Sequence, residues 1–116
     1  MTSEHMIQAQ FVSWFRRTFK GVLIFAIPNG GARSAATGAK LKVEGVVSGI
    51  PDLYVPSWKL WIEMKKPGEK PSKNQKEIIN YLEEIGDTVR VSDSLELAKK
   101  HVIDFVKKAG FKEYEL

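Results

Sequence analysis

Three residues in this chain have types and spacing that could do chemistry: an aspartate after a proline at Pro51-Asp52, and a glutamate and lysine one residue apart at Glu63-Met64-Lys65. Read as a strand, Lys59 to Lys65 projects Glu63 and Lys65 to one side and Leu60, Ile62 and Met64 to the other. Pro51 has no N–H to give to a ladder, which marks the start or the edge of a strand at Asp52. If the two segments pair as a hairpin around Pro56-Ser57, Asp52 lies across from Glu63. Two carboxylates that close repel unless a cation sits between them. Oxygen-only ligands suit Mg²⁺ or Mn²⁺, which bind through one or two carboxylates plus substrate phosphates. The neighbouring lysine would then face a phosphate. A bare Glu-x-Lys is ordinarily the exposed polar face of a hairpin. A Pro-Asp placed ahead of it, with apolar strand residues around both, is much harder to reach by chance.

The elements that must position these residues follow from the flanking pattern. Ser3 can cap a helix from Glu4 to about Phe19, with Ile7, Phe11, Trp14 and Phe15 on one face and Gly21 as a stop. Val22 to Ile27 reads as a short buried strand closed by Pro28-Asn29-Gly30-Gly31. Ala35 to Glu44 can form a short helix despite Gly38, and Gly45 to Pro51 reads as a loop. Asp52 to Val55 and Lys59 to Lys65 form the hairpin, with Trp58 near its turn. Ser72 and Gln75 have the Ser-x-x-Gln form of a capping box, opening a helix with Ile78, Ile79, Leu82 and Ile85 as its core stripe and Gly86 as its end. Thr88 to Val91 is a further strand. Ser94 caps a last helix to about Ala109, with Ala98, Val102, Phe105, Val106 and Ala109 inward and Gly110 closing it. The order is α-β-(α)-β-β-α-β-α, an α/β fold in a single domain over residues 1–116.

Composition bounds what such a domain can be. With 116 residues, 43% of them hydrophobic and 28% charged, the chain resembles ordinary globular sequences and has room for one core. There is no cysteine, which excludes disulfides, cysteine-based zinc or iron–sulfur sites and thiol nucleophiles, and makes the cytoplasm the expected location. His5 and His101 are too few and too far apart for a zinc site. The longest apolar run, Val22 to Ile27, is far short of a membrane span, so no membrane association is expected. The net charge of +4 is uneven. Residues 1–42 and 59–76 are strongly basic, whereas 43–58 and 77–116 are acidic on balance. Such asymmetry suggests a polyanionic partner.

Taken together, Gly49-Ile50-Pro51-Asp52 and Ile62-Glu63-Met64-Lys65 resemble the PD-(D/E)XK nuclease superfamily, whose restriction-endonuclease-like core runs α-β-β-β-α-β, matched here except for an inserted helix. Glu4-His5-Met6-Ile7-Gln8, Asn29-Gly30-Gly31, Gly45, and Ser72 with Gln75 add a closer resemblance, from Glu4 to about Leu97, to the VRR-NUC family of virus-type replication and repair nucleases. The resemblance implies Asp52, Glu63 and the Met64 carbonyl as ligands of Mg²⁺ or Mn²⁺, with no organic cofactor. Lys65 would orient or activate the attacking water, and Glu4 would bind the metal directly or through water. Gln8 and Gln75 would hold Glu4, Lys65 or the phosphate through their amides.

Around this set, Lys66, Lys70, Lys73 and Lys76 could contact phosphates, and the loop from Pro28 to Ser34 could present backbone amides and Arg33, although it lacks P-loop spacing. Trp58 at its turn is a candidate to stack on a base, whereas Trp14 and Trp61 read as core or interface. The leading expectation is a metal-dependent endonuclease acting on branched DNA such as four-way junctions. Small stand-alone members of the family resemble junction-cleaving homodimers, and rings beyond one core stripe on the first helix (Phe11, Trp14, Phe15, Phe19) could line the interface. The alternative is a non-catalytic nucleic-acid-binding module, against which the full Asp52, Glu63 and Lys65 set argues. A pure protein-interaction domain predicts neither the acids nor the basic rim.

Overall fold

The computed structural model describes residues 3–28 and 35–111. Helix α1 (Glu4–Thr18) begins where Ser3 Oγ accepts the Met6 N–H at 3.1 Å. It is followed by β1 (Phe25–Ala26), α2 (Ala35–Val43), β2 (Leu53–Val55), a single 3₁₀ turn at Pro56–Trp58, β3 (Leu60–Met64), α3 (Lys73–Glu84), β4 (Thr88–Ser92) and α4 (Leu95–Ala109). This is the order expected from the sequence. The four strands form one mixed sheet in the order β1-β2-β3-β4. The β1–β2 and β2–β3 pairs are antiparallel, and β3–β4 is parallel. The parallel pair needs a crossover, which α3 supplies.

One face of the sheet builds the core. Leu53, Val55, Leu60, Ile62 and Met64 pack in one buried cluster with Phe11, Phe15 and Phe19 at α1 and Ala98, Val102 and Val106 of α4. The opposite face carries Asp52, Tyr54, Trp61, Glu63 and Lys65, because strand side chains alternate. α3 lies against β4 and bonds to this second face through Gln75.

Several expectations change. β1 is only two residues long, and both are exposed; the buried members of the apolar run are Val22 and Ile24, just ahead of it. The reason is that β1 is an edge strand whose partner β2 is itself short, so the ladder pairs only Phe25 with Tyr54 and Ala26 with Leu53. Trp58 is buried against Phe15, Phe19, Phe105 and Phe111, so it offers no face to a base. Phe11, Phe15 and Phe19 are wholly buried and Trp14 packs on two of them. Of the α1 rings expected to line a partner interface, Phe11, Phe15 and Phe19 therefore belong to the core, while Trp14 is half-buried at its edge. Ile85 is exposed at the α3 C-terminus and Ala109 at the end of α4, because the final turns of both helices overhang what they pack on. No helix among the described residues is long and apolar enough to cross a membrane.

Candidate metal and phosphate site

Asp52 sits immediately ahead of β2, and its place is fixed from both sides. Its carbonyl accepts the Ile27 N–H at 2.7 Å, so its backbone points to β1 and the next residue, Leu53, points to β3. Continuing the register of Leu53 opposite Ile62 sets Pro51 opposite Met64 and Asp52 opposite Glu63. In that register the Met64 N–H donates to Asp52 Oδ2 at 2.8 Å. The Met64 carbonyl, on the same side of its strand, faces a proline nitrogen that has no hydrogen to give. Pro51 thus frees a backbone oxygen beside the aspartate.

Glu63 is reached from α3. Gln75 accepts the Ser72 N–H at 2.8 Å through Oε1, while Ser72 Oγ accepts the Gln75 N–H at 3.1 Å, a complete capping box. The cap uses the oxygen end of the amide, which leaves its NH₂ end to donate to Glu63 Oε2 at 2.9 Å. One side chain therefore both starts the helix and ties it to the sheet. Lys65 Nζ lies 3.4 Å from Glu63 Oε2 and 3.3 Å from Glu69 Oε1, and its backbone N–H extends the parallel ladder to Ser92 O at 2.8 Å. Glu69 gave no signal in the sequence beyond its distance of four residues from Lys65.

Glu63 is 4% exposed and Lys65 8%, so the solvated hairpin face expected for a Glu-x-Lys is not what forms. Burial, and then Asp52, push the Glu63 carboxyl up to about 7, with Lys65 opposing. Asp52 is also raised by burial, against the Met64 N–H, a hydrogen bond to Glu63 and the charge of Lys65. The two carboxyls are thus harder to ionise together here than either would be in water.

The donor set fits a hard divalent cation. Asp52 and Glu63 each have one oxygen anchored by an N–H donor, the two carboxyls meet in a hydrogen bond that a cation would replace, and the Met64 carbonyl stands beside them. Among the described residues no three His, Asp or Glu side chains group closely enough to hold an ion by themselves. Such a site would need oxygens from water and substrate to complete its shell, the usual manner of Mg²⁺. Glu4, half-buried at the start of α1, is raised first by burial and next by Asp52 and Glu69. It faces the pair through space without joining it in a three-ligand group. Gln8 lies one turn further on, in a groove between α1 and β1.

Lys66 and Lys70 are exposed in the segment after β3, and Lys73 and Lys76 are exposed on the first turns of α3; of the four, Lys66 acts on the Glu4 carboxyl, which its charge lowers. Arg33 and the Asn29-Gly30-Gly31 loop lie outside the described residues.

A mixed α/β sheet that brings Asp52, Glu63 and Lys65 together is the arrangement that the resemblance to the PD-(D/E)XK superfamily implies. No family model matches the chain, and no curated protein does. A solved structure described as a VRR-NUC domain protein superposes with a TM-score of 0.77 at 26% sequence identity, over 92% of this chain and 90% of that one. That likeness in fold and sequence supports a VRR-NUC domain.

Proposed function

We propose that this domain is a Mg²⁺- or Mn²⁺-dependent endonuclease that hydrolyses phosphodiester bonds in branched DNA, four-way junctions included, and that it works as a homodimer. The observation that carries the reading is the Asp52–Glu63 pair, two carboxyls both raised by burial, Glu63 further by Asp52, and held by the Met64 N–H and the Gln75 amide. A buried acid pair that cannot ionise fully alone is costly unless it has a task. When bound, a divalent cation held by Asp52, Glu63 and the Met64 carbonyl would polarise the scissile phosphate and neutralise the charge that develops on it.

The chain's own groups do the rest. Gln75 and the Met64 N–H fix the two carboxylates before substrate arrives. Lys65, held between Glu63 and Glu69, presents an ammonium that orients the attacking water or takes charge from a phosphate oxygen. Glu4 contributes a further negative group facing Asp52, suited to accept a hydrogen bond from water. Water attacks phosphorus and sheds a proton to solvent, the P–O bond to the leaving strand breaks, and the leaving oxygen takes a proton from solvent, giving a phosphate monoester and a hydroxyl with no covalent enzyme intermediate. Lys66, Lys70, Lys73 and Lys76 supply phosphate contacts that position the strand.

The test is incubation of the purified chain with linear, flapped and four-way DNA, with and without Mg²⁺ or Mn²⁺. Cleavage of branched substrates only with added cation is expected. Undiminished cutting in excess chelator overturns the mechanism, and DNA binding without cutting under every cation leaves the non-catalytic module as the better reading.

A further inference from the structure

Lys65 has two acidic neighbours, and only one of them belongs to the acid pair. Directly after the lysine the chain turns back through Lys66-Pro67-Gly68-Glu69, where the Glu69 N–H donates to the Lys66 carbonyl at 2.9 Å. Pro67 presets φ at the second position, and Gly68, with φ +79, takes the left-handed third position, the pairing that a type II turn favours. The turn is clamped from the neighbouring strand: just beyond β4, Asp93 Oδ2 accepts the Gly68 N–H at 3.0 Å. Glu69 is thereby returned to Lys65, its Oε1 standing 3.3 Å from the lysine Nζ.

Glu69 is exposed whereas Lys65 is buried. It stands outside the acid pair but within the same field, since it raises the Glu4 carboxyl alongside Asp52. Lys65 lowers both Asp52 and Glu63, so in the cation-free chain its ammonium is the counter-ion of the pair. That ammonium lies 3.4 Å from Glu63 and 3.3 Å from Glu69, shared almost equally between an acid inside the proposed cation site and one outside it. Like charges at such range repel, so a divalent cation on Asp52 and Glu63 weakens the hold of Glu63 on the lysine. With Glu63 as its only acid, Lys65 would either compete with the cation or swing into solvent and lose its place beside the phosphate. Glu69 removes that conflict.

We propose that Glu69 is a positioning residue that takes over the Lys65 ammonium when the acid pair holds a divalent cation, so that pair and lysine can serve the same phosphate. The proposal rests on the reading of Asp52 and Glu63 as a cation site and deepens it. A carboxylate that only stabilised the fold, or drew cations through space, would act with or without the lysine, whereas one that acts through Lys65 would not. The experiment is therefore a double-mutant cycle on the full chain, with Mn²⁺ alone as the probe, electron paramagnetic resonance to count the free ion, and thermal melts to establish that each variant is folded. Glu69→Gln should weaken Mn²⁺ binding about fivefold in the wild-type background, the scale of one partly exposed ion pair. In a Lys65→Met background, where no ammonium competes, affinity should exceed that of the wild type. There Glu69→Gln should change it by less than about twofold, the margin within which independent effects add. Equal losses in the two backgrounds overturn the proposal alone, because Glu69 then acts on the ion directly, and so does the absence of a loss in both. Should Lys65→Met fail to fold, Lys65→Gln supplies the second background. A wild type that takes up no Mn²⁺ at millimolar concentration overturns the cation site along with the proposal, as does uptake that Asp52→Asn leaves unchanged.

Discussion

Gln75 uses opposite ends of one amide for two tasks, and this makes its substitutions informative. Gln75→Glu keeps an oxygen for the cap but sets a carboxylate against Glu63, whereas Gln75→Ala loses both contacts. The alanine variant should lose about 1 kcal/mol of stability, the usual worth of a helix cap. The glutamate variant should melt near the wild type yet cut at least tenfold more slowly, and wild-type cleavage by Gln75→Glu would remove Gln75 from the site. Asp52→Asn, Glu63→Gln and Lys65→Ala should each lower cleavage about a hundredfold or more, the scale of one lost electrostatic contributor. Because Glu63 and Lys65 are buried, these rates count only alongside melting curves and DNA binding measured on the same preparations. Acidity offers a further check. The folded Glu63 carboxyl, raised to about 7 from an ordinary 4.5, holds a proton that the unfolded chain releases earlier. Its contribution to stability is therefore full below about pH 4.5 and is lost as the pH rises through about 7. His101, lowered by burial and Arg90, works the other way, gaining stability as the pH rises towards 6.5. The difference in melting temperature between wild type and Glu63→Gln isolates the acid: in chelator it should move against the wild type from pH 5 to pH 8. Added Mg²⁺ or Mn²⁺ competes with the same proton, so it should stabilise the wild type more at pH 8 than at pH 5.

At the scale of elements, the site depends on how the loop ahead of β2 meets the first turns of α3. Gly49 has φ +88, and a Cβ there would stand 2.7 Å from Asn74 Nδ2 and 3.3 Å from Ile78 Cγ1. Asn74 in turn donates to Ser48 Oγ at 3.0 Å. Gly49→Ala should therefore cost about 1–2 kcal/mol in backbone strain and also push α3 from the loop that delivers Asp52. It should lower cleavage further than an equally destabilising core change such as Val102→Ala, and equal losses in the two variants would show that the contact serves stability alone. Much of this arrangement is legible in the sequence because it is local. Pro51, the alternation from Leu60 to Met64 and the Ser72–Gln75 box each specify their geometry within a few residues. Alternation says which side Glu63 faces but not what covers it. The cover comes from Gln75, twelve residues on, and whether the cap and the acid share one amide is a question of three-dimensional approach. Trp58 was misleading for the same reason: a turn position implies exposure until α1 and α4 close over it. Phe25 erred in the opposite sense, since an apolar run implies burial and only the strand order reveals an edge. Arg16 and Arg17 carry no sequence signal of their own, because basic residues in the last turn of a helix are already accounted for by its dipole.

The whole molecule is less closed than its core suggests. Its radius of gyration is 14.9 Å, against about 13 Å for a compact domain of this size. Part of the excess surface is α2, nine residues long, in which no residue from 36 to 43 is buried. Val43 is 90% exposed, and Val46 and Val47 follow it on the surface. A helix that short, with Gly38 inside it, is marginal in water without something to pack on. If the chain pairs as proposed, exposed α2 and the segment after it are better suited to the contact than Phe11, Phe15 and Phe19, which the core has taken. A second copy would also serve the substrate: specific protein–DNA contacts commonly bury roughly 1,000 Å² or more of protein surface, and a two-fold dimer sets two cutting sites symmetrically about a four-way junction. Light scattering coupled to gel filtration at micromolar concentration should therefore give twice the 13.1 kDa of one chain. Val43→Glu with Val47→Glu should return it to a monomer that keeps its core melting transition and nicks a junction on one strand without the paired incision. A wild type that runs only as a 13.1 kDa species, both free and with junction DNA, would overturn the dimer. The exposed valines would then need a different partner, because two-site cutting of one junction requires two copies held at a fixed separation.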